Sequence, residues 1–490
     1  MNKGKVYLVG AGPGDKQLIT VKGLQCIQKA DVILYDRLVN PLLLEEAPVG
    51  VELIYCGKLP KQHIVRQEKI NELLVTKSKK GKTVVRLKGG DPSVFGRVGE
   101  EAEVLAQNEI EFEIVPGITS GIAASSYAGI PVTHRDYATS FAVVTGHDKS
   151  KDGVPHIDWK SLAKGIDTIA FYMGIGNLAY ITSQLIRHGK SKQTPVILIQ
   201  WGTYGHQQTL EGTLQTISQK AEEERFQNPA ITLVGPVVSL REKLKWFEKK
   251  TLSGKSIVLA RTTAGEGEVA QKLTTLGADV FQFPRFESQS LLFDKSTKRK
   301  FQKVTHYKQV LFTCPTSVDL FFEALSLYGM DIRSIQGTFF AKSIKTENAL
   351  KKYGCTSQPD SELSFSSNLL MIGGKTSDRA PVPLNRRLDY LALHQTKLVE
   401  QSVETLRRLE TEKMMNTVIF PSAKSVEVFI DTLQANKINT NDYFANKTII
   451  TFGEKSHQAA QVAGLKVDDC LSKPSIDELI KTLTSQKVLQ

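Results

Sequence analysis

The stretch VVRLKGGDPSVFGR, Val84–Arg97, decides how the first half of the chain is read. Val84, Val85 and Leu87 form a short buried strand. Gly89 and Gly90 end it, so the backbone can turn sharply and a ligand can approach closely. Two readings fit the Asp-Pro that follows: a ligand-binding loop, or a strand-to-helix turn that Asp91 caps locally. Upstream, KVYLVGAGPGD (Lys5–Asp15) is a strand running into a Gly-rich turn, and LITVKGLQCIQKA (Leu18–Ala30) has helical spacing. DVILYD (Asp31–Asp36) is a second strand, and QEKINELLVTKSKKG (Gln67–Gly81) puts Ile70, Leu73 and Leu74 on one helical face that stops at Gly81. Strands alternating with helices predict an α/β architecture with a mostly parallel sheet. In such a sheet the loops after the strand C-termini gather around one crevice, where ligands bind.

The chain has 490 residues, 41% hydrophobic and 23% charged, which suits two or three globular domains. No apolar run approaches the ~18 residues of a membrane span. The N-terminus moves from MNKGK into a strand without a signal-peptide pattern, so a cytoplasmic protein is expected. Cys26, Cys56, Cys314, Cys355 and Cys470 are scattered without a CxxC pair, so neither a disulfide framework nor a metal site is indicated. The net charge of +12 has no basic tail and no basic stripe interleaved with aromatics. It favours an anionic small molecule over nucleic acid or membrane.

Several chemistries lack their signatures. GAGPGD spaces its glycines as GxGxG rather than GxGxxG, and Pro13 removes an N–H where a pyrophosphate needs one, which disfavours an NAD-dependent dehydrogenase. GxxxxGK[ST], HExxH and GxSxG are absent.

A composition break at KWFEKKTLSGKS (Lys245–Ser256) places a domain boundary near residue 250, giving domains 1–247 and 255–490. The second contains an internal repeat. VLFTCPTSVDLFFEAL (Val310–Leu325) aligns with VIFPSAKSVEVFIDTL (Val418–Leu433), and Thr338–Gly354 aligns with Thr448–Gly464. Each copy is a strand, a small-residue loop and a helix, so two like α/β lobes are expected. Thr313, Ser317, Ser422, Ser425 and Ser456 lie at the helix starts. There they either meet a carboxylate or phosphate group of a ligand or cap their own helices.

With those residues in view, the first half resembles a known family. VGAGPGD, YDRLV, VVRLKGGDPSVFGRVGEE, PGITSGIAASSYAGIPVTHR, YMGI and NPAITLVG are similar, in order and spacing over about residues 4 to 247, to the tetrapyrrole methylases, and among them to the uroporphyrinogen-III C-methyltransferases. Residues from about 255 to 490 resemble the uroporphyrinogen-III synthases through the two strand-loop-helix units, FGEKSHQAAQVAGL and SKPSIDELIKTL. The resemblance implies a two-lobed methylase fold followed by a two-lobed α/β synthase fold. It implies S-adenosyl-L-methionine as methyl donor, S-adenosyl-L-homocysteine as product, and hydroxymethylbilane and uroporphyrinogen III as substrates. The product would be precorrin-2, on the sirohaem or cobalamin branch.

Residue by residue, Gly89 and Gly90 correspond to the loop that holds the cofactor, with Asp91 accepting from its ammonium group. Val94, Thr119, Ser120, Met173, Gly202 and Ala230 match other cofactor-lining positions, and Pro13 shapes the pocket. Asp36 and Lys58 match the proposed proton acceptor and donor. Arg37, Arg97 and Arg135 are expected to pair with the substrate's carboxylates, with ordinary surface charge as the alternative. An electron-rich pyrrole carbon can attack the sulfonium methyl directly, so alignment and proton removal suffice and no metal is required. A homodimer through the N-terminal domain is also implied. The chain departs from the family pattern at Lys16, Leu59, Val98 and His394, and AKSIKTENAL (Ala341–Leu350) lacks the usual Gly-Pro. The departures in the synthase half leave a non-catalytic tetrapyrrole-binding module as its alternative reading.

Overall fold

The computed structural model describes residues 4–57, 67–147, 155–262, 264–265, 267–364, 368–375 and 388–485. Its first sheet is parallel, in the order Glu52–Tyr55, Val32–Tyr35, Val84–Lys88, Val6–Gly10, Phe112–Val115. The three central strands are buried on both faces, which explains their near-continuous apolar sequence. Because all five strands run one way, Gly10, Tyr35, Lys88 and Val115 end at the same edge. The Gly-rich turn, Asp36, the Gly-Gly-Asp loop and Pro116–Gly117 therefore leave the sheet there together.

The second sheet runs Phe141–Thr145, Thr168–Tyr172, Ala230–Val234, Pro195–Gln200, Gln208–Thr213. Its first pair is parallel and the other pairs are antiparallel, so the expected mostly parallel arrangement holds for the first lobe and not for this one. The loop from Trp201 to Gln207 is too short for a crossover helix, so the chain turns back beside the strand it has just left.

Two more sheets follow. One is parallel, ordered Asp279–Phe283, Ser256–Ala260, Thr417–Phe420, Thr448–Thr451, Asp469–Cys470. The other is ordered Phe286–Ser290, Leu388–Leu398, Leu369–Lys375, Gln309–Phe312, Thr338–Ala341, Gln358–Pro359, with only its first pair antiparallel. The repeat is evident. Gln309–Phe312, helix Pro315–Tyr328, Thr338–Ala341 and helix Ile344–Lys352 in one lobe match Thr417–Phe420, Ala423–Ala435, Thr448–Thr451 and Glu454–Val462 in the other. The second copy completes its sheet with strands from Ser256–Phe283, so this lobe is discontinuous in sequence.

The chain divides into two compact units. One comprises Met1–Ala260, Gly267–Phe283 and Glu400–Gln490, and the other comprises Arg261–Glu266 and Pro284–Val399. Within the first unit the region near residue 250 is not a loose linker. Gly254 donates its N–H to Gly205 O at 2.6 Å, and Tyr204 is buried in one cluster with Val258, Phe281, Leu406 and Val418. The methylase-like lobes and the discontinuous lobe thus share a core.

Candidate active site

At the C-terminal edge of the first sheet, three loops meet through backbone alone. Gly90 donates its N–H to Gly12 O at 2.7 Å, Gly12 returns an N–H to Gly90 O at 3.2 Å, and Ala11 donates to Lys88 O at 2.7 Å. A Cβ on Gly10 would lie 2.6 Å from Gly117 N and 2.7 Å from Gly90 O, so this crossing admits no side chain. Gly90 has φ +69°, a conformation that favours glycine, and open space beside it: the nearest atoms to a Cβ there are Thr119 Cα at 3.9 Å and Ser120 N at 4.0 Å.

Asp91 ties the loops together. Its Oδ1 accepts from Ser93 N at 2.7 Å and its Oδ2 from Gly117 N at 3.0 Å, while Val94 N donates to Asp91 O at 3.2 Å. A carboxylate offers about four acceptor positions, so two backbone donors leave capacity for a further cation. Thr119 shares a 2.5 Å hydrogen bond with the Tyr172 hydroxyl, which also accepts from Gly121 N at 2.5 Å. Met173, next to Tyr172, has φ +56° and is 49% exposed; Phe95, 44% exposed, packs its ring on Tyr172 at 5.3 Å. Gly202 lies against Ala124 of the helix Ser120–Tyr127, and Ala230 pairs with Gln200 at the end of the strand leading to Gly202. Pro13 sits in a turn held from outside. Asn40 Nδ2 donates to Gly14 O at 2.7 Å, and Asp15 N donates to Thr203 Oγ1 at 2.9 Å. Of the cofactor positions inferred from sequence, Ser120 opens a helix and Ala230 a strand, and the others lie in the loops between elements.

Beneath Asp36 lies a charge network that the sequence reading did not identify. Arg86 and Lys88 are two apart on one strand and share a face, where they are 2% and 3% exposed beneath Glu101, which is fully buried. Glu101 Oε1 accepts from Arg86 Nε at 3.1 Å, Lys88 Nζ at 2.8 Å and Gln67 Nε2 at 3.1 Å; Arg86 Nη2 also meets Asp36 Oδ1 at 2.5 Å. Burial works against the Arg86 guanidinium, but Asp36 and Glu101 outweigh it and hold its pKa above the ordinary value. For Lys88 burial dominates, with Arg86 adding to it, and its ammonium is held below the ordinary range. Asp36 stands at the outer end of this network with its side chain 31% exposed. Arginine and lysine alternating with apolar residues gave no signal of burial. A glutamate three residues after Val98 is the only hint that helix and strand exchange charge.

The predicted substrate-binding arginines have different surroundings. Arg37 forms a bidentate pair with Glu412, with Nε–Oε1 at 3.0 Å and Nη2–Oε2 at 2.8 Å; Glu412 also lies 3.6 Å from Arg408, whose guanidinium covers the Tyr55 ring at 4.0 Å. Arg97 pairs with Glu100 at 2.6 and 2.8 Å, and Arg135 is exposed. Lys58 lies outside the described residues.

In the synthase-like half, the helix-start hydroxyls turn toward their own loops. Ser317 donates to Cys314 O at 2.7 Å, Ser425 to Ser422 O at 2.5 Å, and Ser456 to Gly453 O at 2.8 Å; all three serines are buried. Thr313 donates to Ile372 O at 3.1 Å, and Ser422 is exposed while accepting from Ser425 N at 3.2 Å. Among the described residues no group of three or more His, Cys, Asp or Glu could hold a metal ion, and no helix is long and apolar enough to cross a membrane.

Two family models match this chain. Residues 5–218 match the family model of Tetrapyrrole (Corrin/Porphyrin) Methylases, and residues 267–372 match that of Uroporphyrinogen-III synthase HemD. The chain is 42% identical to a Uroporphyrinogen-III C-methyltransferase of Bacillus subtilis (strain 168), over 93% of each chain. A Uroporphyrinogen-III C-methyltransferase of Priestia megaterium is 63% identical, over 48% of this chain and 99% of its own length. The Porphyrin biosynthesis protein HemD of Ruminiclostridium josui is 35% identical, over 99% of this chain and 98% of its own.

Proposed function

Because the chain belongs to the tetrapyrrole methylases and carries a uroporphyrinogen-III synthase domain behind the methylase, we propose that one polypeptide makes precorrin-2. Its second half closes hydroxymethylbilane to uroporphyrinogen III, and its first half methylates that product twice. The observation that carries the methylation is the side-chain-free crossing of Gly10, Gly90 and Gly117, fastened by Asp91. S-adenosylmethionine fits this donor set: Asp91 keeps acceptor capacity for an ammonium group beside backbone that a Cβ at Gly10 would obstruct. When bound, that molecule supplies an electrophilic methyl group.

The residues of the chain do the rest by placement. The Gly-Gly-Asp loop, Thr119, Ser120 and the Met173 and Gly202 loops hold the donor. Asp36, fixed by Arg86 and partly open, takes the proton that the methylated ring must lose. Lys58 is the proposed proton donor. Arg37, Arg97 and Arg135 receive substrate carboxylates, and for the first two this means exchanging a carboxylate already in place, Glu412 or Glu100. In the second half, backbone N–H groups at the helix starts, with Thr313 and Ser422, would hold the carboxylates of a folded bilane; Ser317, Ser425 and Ser456 shape those loops from within. A cytoplasmic homodimer through the methylase half completes the reading, and light scattering tests it.

The test of function is anaerobic incubation of the full chain with hydroxymethylbilane and S-adenosylmethionine, followed by mass analysis and isomer separation. A dimethylated type III product is expected. Unmethylated type III product would refute the methylase assignment, and type I material alone would refute the synthase assignment.

A further inference from the structure

The repeat places different atoms at equivalent helix starts. In one lobe Ser422 and Ser425 form a reciprocal cap: Ser425 N donates to Ser422 Oγ at 3.2 Å, and Ser422 N donates to Ser425 Oγ at 3.0 Å. In the other lobe Cys314 stands where Ser422 would. Cys314 N donates to Ser317 Oγ at 3.3 Å, and Sγ itself lies 3.3 Å from that oxygen. Sulfur is a weaker acceptor than a hydroxyl, so the cap alone gives no reason for a cysteine.

A second group faces the sulfur. His394 Nε2 is 3.4 Å from Cys314 Sγ, although the two residues are 80 apart in sequence. The ring is 8% exposed, and its Nδ1 has no hydrogen-bond partner among the described residues. Its aim depends on a bulge: the pairing of Leu369–Lys375 with Leu388–Leu398 shifts register between Gly373, opposite Ala392, and Gly374, opposite His394. Bulges of this kind redirect a side chain. A Cβ on Gly374 would lie 2.7 Å from His394 Cε1, so the glycine makes room for the ring. Two irregularities thus bring one imidazole to one thiol.

We propose that Cys314 and His394 form a thiolate–imidazole site for reversible exchange with a small external disulfide. Sγ attacks one sulfur of R–S–S–R; the Sγ–S bond forms, the S–S bond breaks, and R–S⁻ leaves with the electron pair and takes a proton from solvent. A small thiol reverses the step and restores the Cys314 thiolate. No cysteine of the chain is disulfide-bonded, and Cys314 is partly exposed. Burial alone pushes the Cys314 thiol up, but hydrogen bonds from His394 and Ser317 outweigh it and bring it to about 7. Among the described residues, Ser317 from the helix and His394 from strand Leu388–Leu398 lie within hydrogen-bonding distance of Sγ, and Tyr390 of the same strand interacts with it electrostatically. The strand Leu369–Lys375 contributes Gly373 and Gly374 there, and the Tyr390 hydroxyl is directed to Gly374 O at 2.6 Å. By contrast, burial holds the thiols of Cys26, Cys56 and Cys355 above their ordinary value.

The test treats the full chain with 2-hydroxyethyl disulfide across pH 5.5 to 9.5 and follows the mass of the Cys314 peptide, a readout independent of either enzymatic assignment. The expected adduct forms with a midpoint near pH 7 and is removed by 2-mercaptoethanol, whereas His394→Gln moves the midpoint up by at least about one pH unit. A midpoint above about 8.5 in the unsubstituted chain, or one that His394→Gln leaves in place, would overturn the proposal. Cys314→Ser identifies the peptide; an adduct mass that persists on it would also overturn the assignment.

Discussion

Replacing Glu101 by Gln tests the network under Asp36 while keeping side-chain shape. In the native chain Asp36 and Glu101 balance Arg86 and Lys88. The variant leaves an uncompensated positive charge among side chains that are almost wholly buried. Breaking a buried ion pair from one side costs about 3–5 kcal/mol. Lys88 gives the loss a distinctive pH dependence. Its ammonium is already held below the ordinary value of 10.5, first by burial and then by Arg86, and losing Glu101 lowers it further. A base with a lowered pKa in the folded state binds fewer protons folded than unfolded. Stability therefore rises with pH, from the folded pKa up to the unfolded one.

The penalty of Glu101→Gln should accordingly be larger at pH 7 than at pH 9.5. Trp159, Trp201 and Trp246 are the only tryptophans and all lie in the first half, so their fluorescence during urea unfolding follows the half that holds the network. Adding Lys88→Met to Glu101→Gln should recover part of the loss at pH 7, because it removes the stranded charge. A loss below about 1 kcal/mol at both pH values, against the ~3 kcal/mol expected at pH 7, would refute this account.

Other substitutions separate the roles at the sheet edge. Asp36→Asn should lower kcat for methyl transfer by about 10²-fold or more and leave S-adenosylmethionine affinity within about twofold, as read by steady-state kinetics and calorimetry. Asp91→Ala should weaken that affinity by about tenfold, since it also releases Ser93 N and Gly117 N; a change below about threefold would count against the assignment. Gly10→Ala should be more damaging to cofactor binding than Gly90→Ala. The first meets backbone at 2.6 Å, whereas the second has room and carries only the ~1–2 kcal/mol strain of a left-handed residue. The reverse order of affinities would contradict the geometry. Glu412→Gln should destabilise the chain by about 1–3 kcal/mol in thermal unfolding; this is below the full buried-pair range because Arg37 is half exposed.

How much the sequence revealed depended on the kind of signal. Apolar runs and glycines are local, so the strand at Val84–Lys88, the turn after it and the neighbouring βα units were legible, as was the repeat in the second half. The convergence of Gly10, Gly90 and Gly117 followed from parallel strands ending at one edge. Arg86 and Lys88 were not legible as buried, because charges alternating with apolar residues on a strand ordinarily mark a solvent face. Their burial depends on Glu101 arriving from the helix Val98–Gln107. The partner of Arg37 was invisible for a similar reason, since Glu412 is 375 residues away. Cys314 and His394 meet only through a register shift, which no periodicity encodes. The hydroxyls at the helix starts carried two readings in sequence, and the observed hydrogen bonds show Ser317, Ser425 and Ser456 committed to their own loops.

The discontinuous lobe also sets a timetable for synthesis. Its strands Ser256–Ala260 and Asp279–Phe283 leave the ribosome early, but the strand that pairs with Ser256–Ala260 on the other side begins only at Thr417. At ~5–20 residues per second, the nascent chain must shield Val258, Leu259, Phe281 and Phe283 for about 7–27 seconds before that neighbour is made. Parallel strands with an unfilled edge are prone to pair with the wrong chain. Aggregation during expression should therefore be most severe for messages truncated between Phe283 and Thr417, and slowing translation there should worsen yield without changing the finished protein.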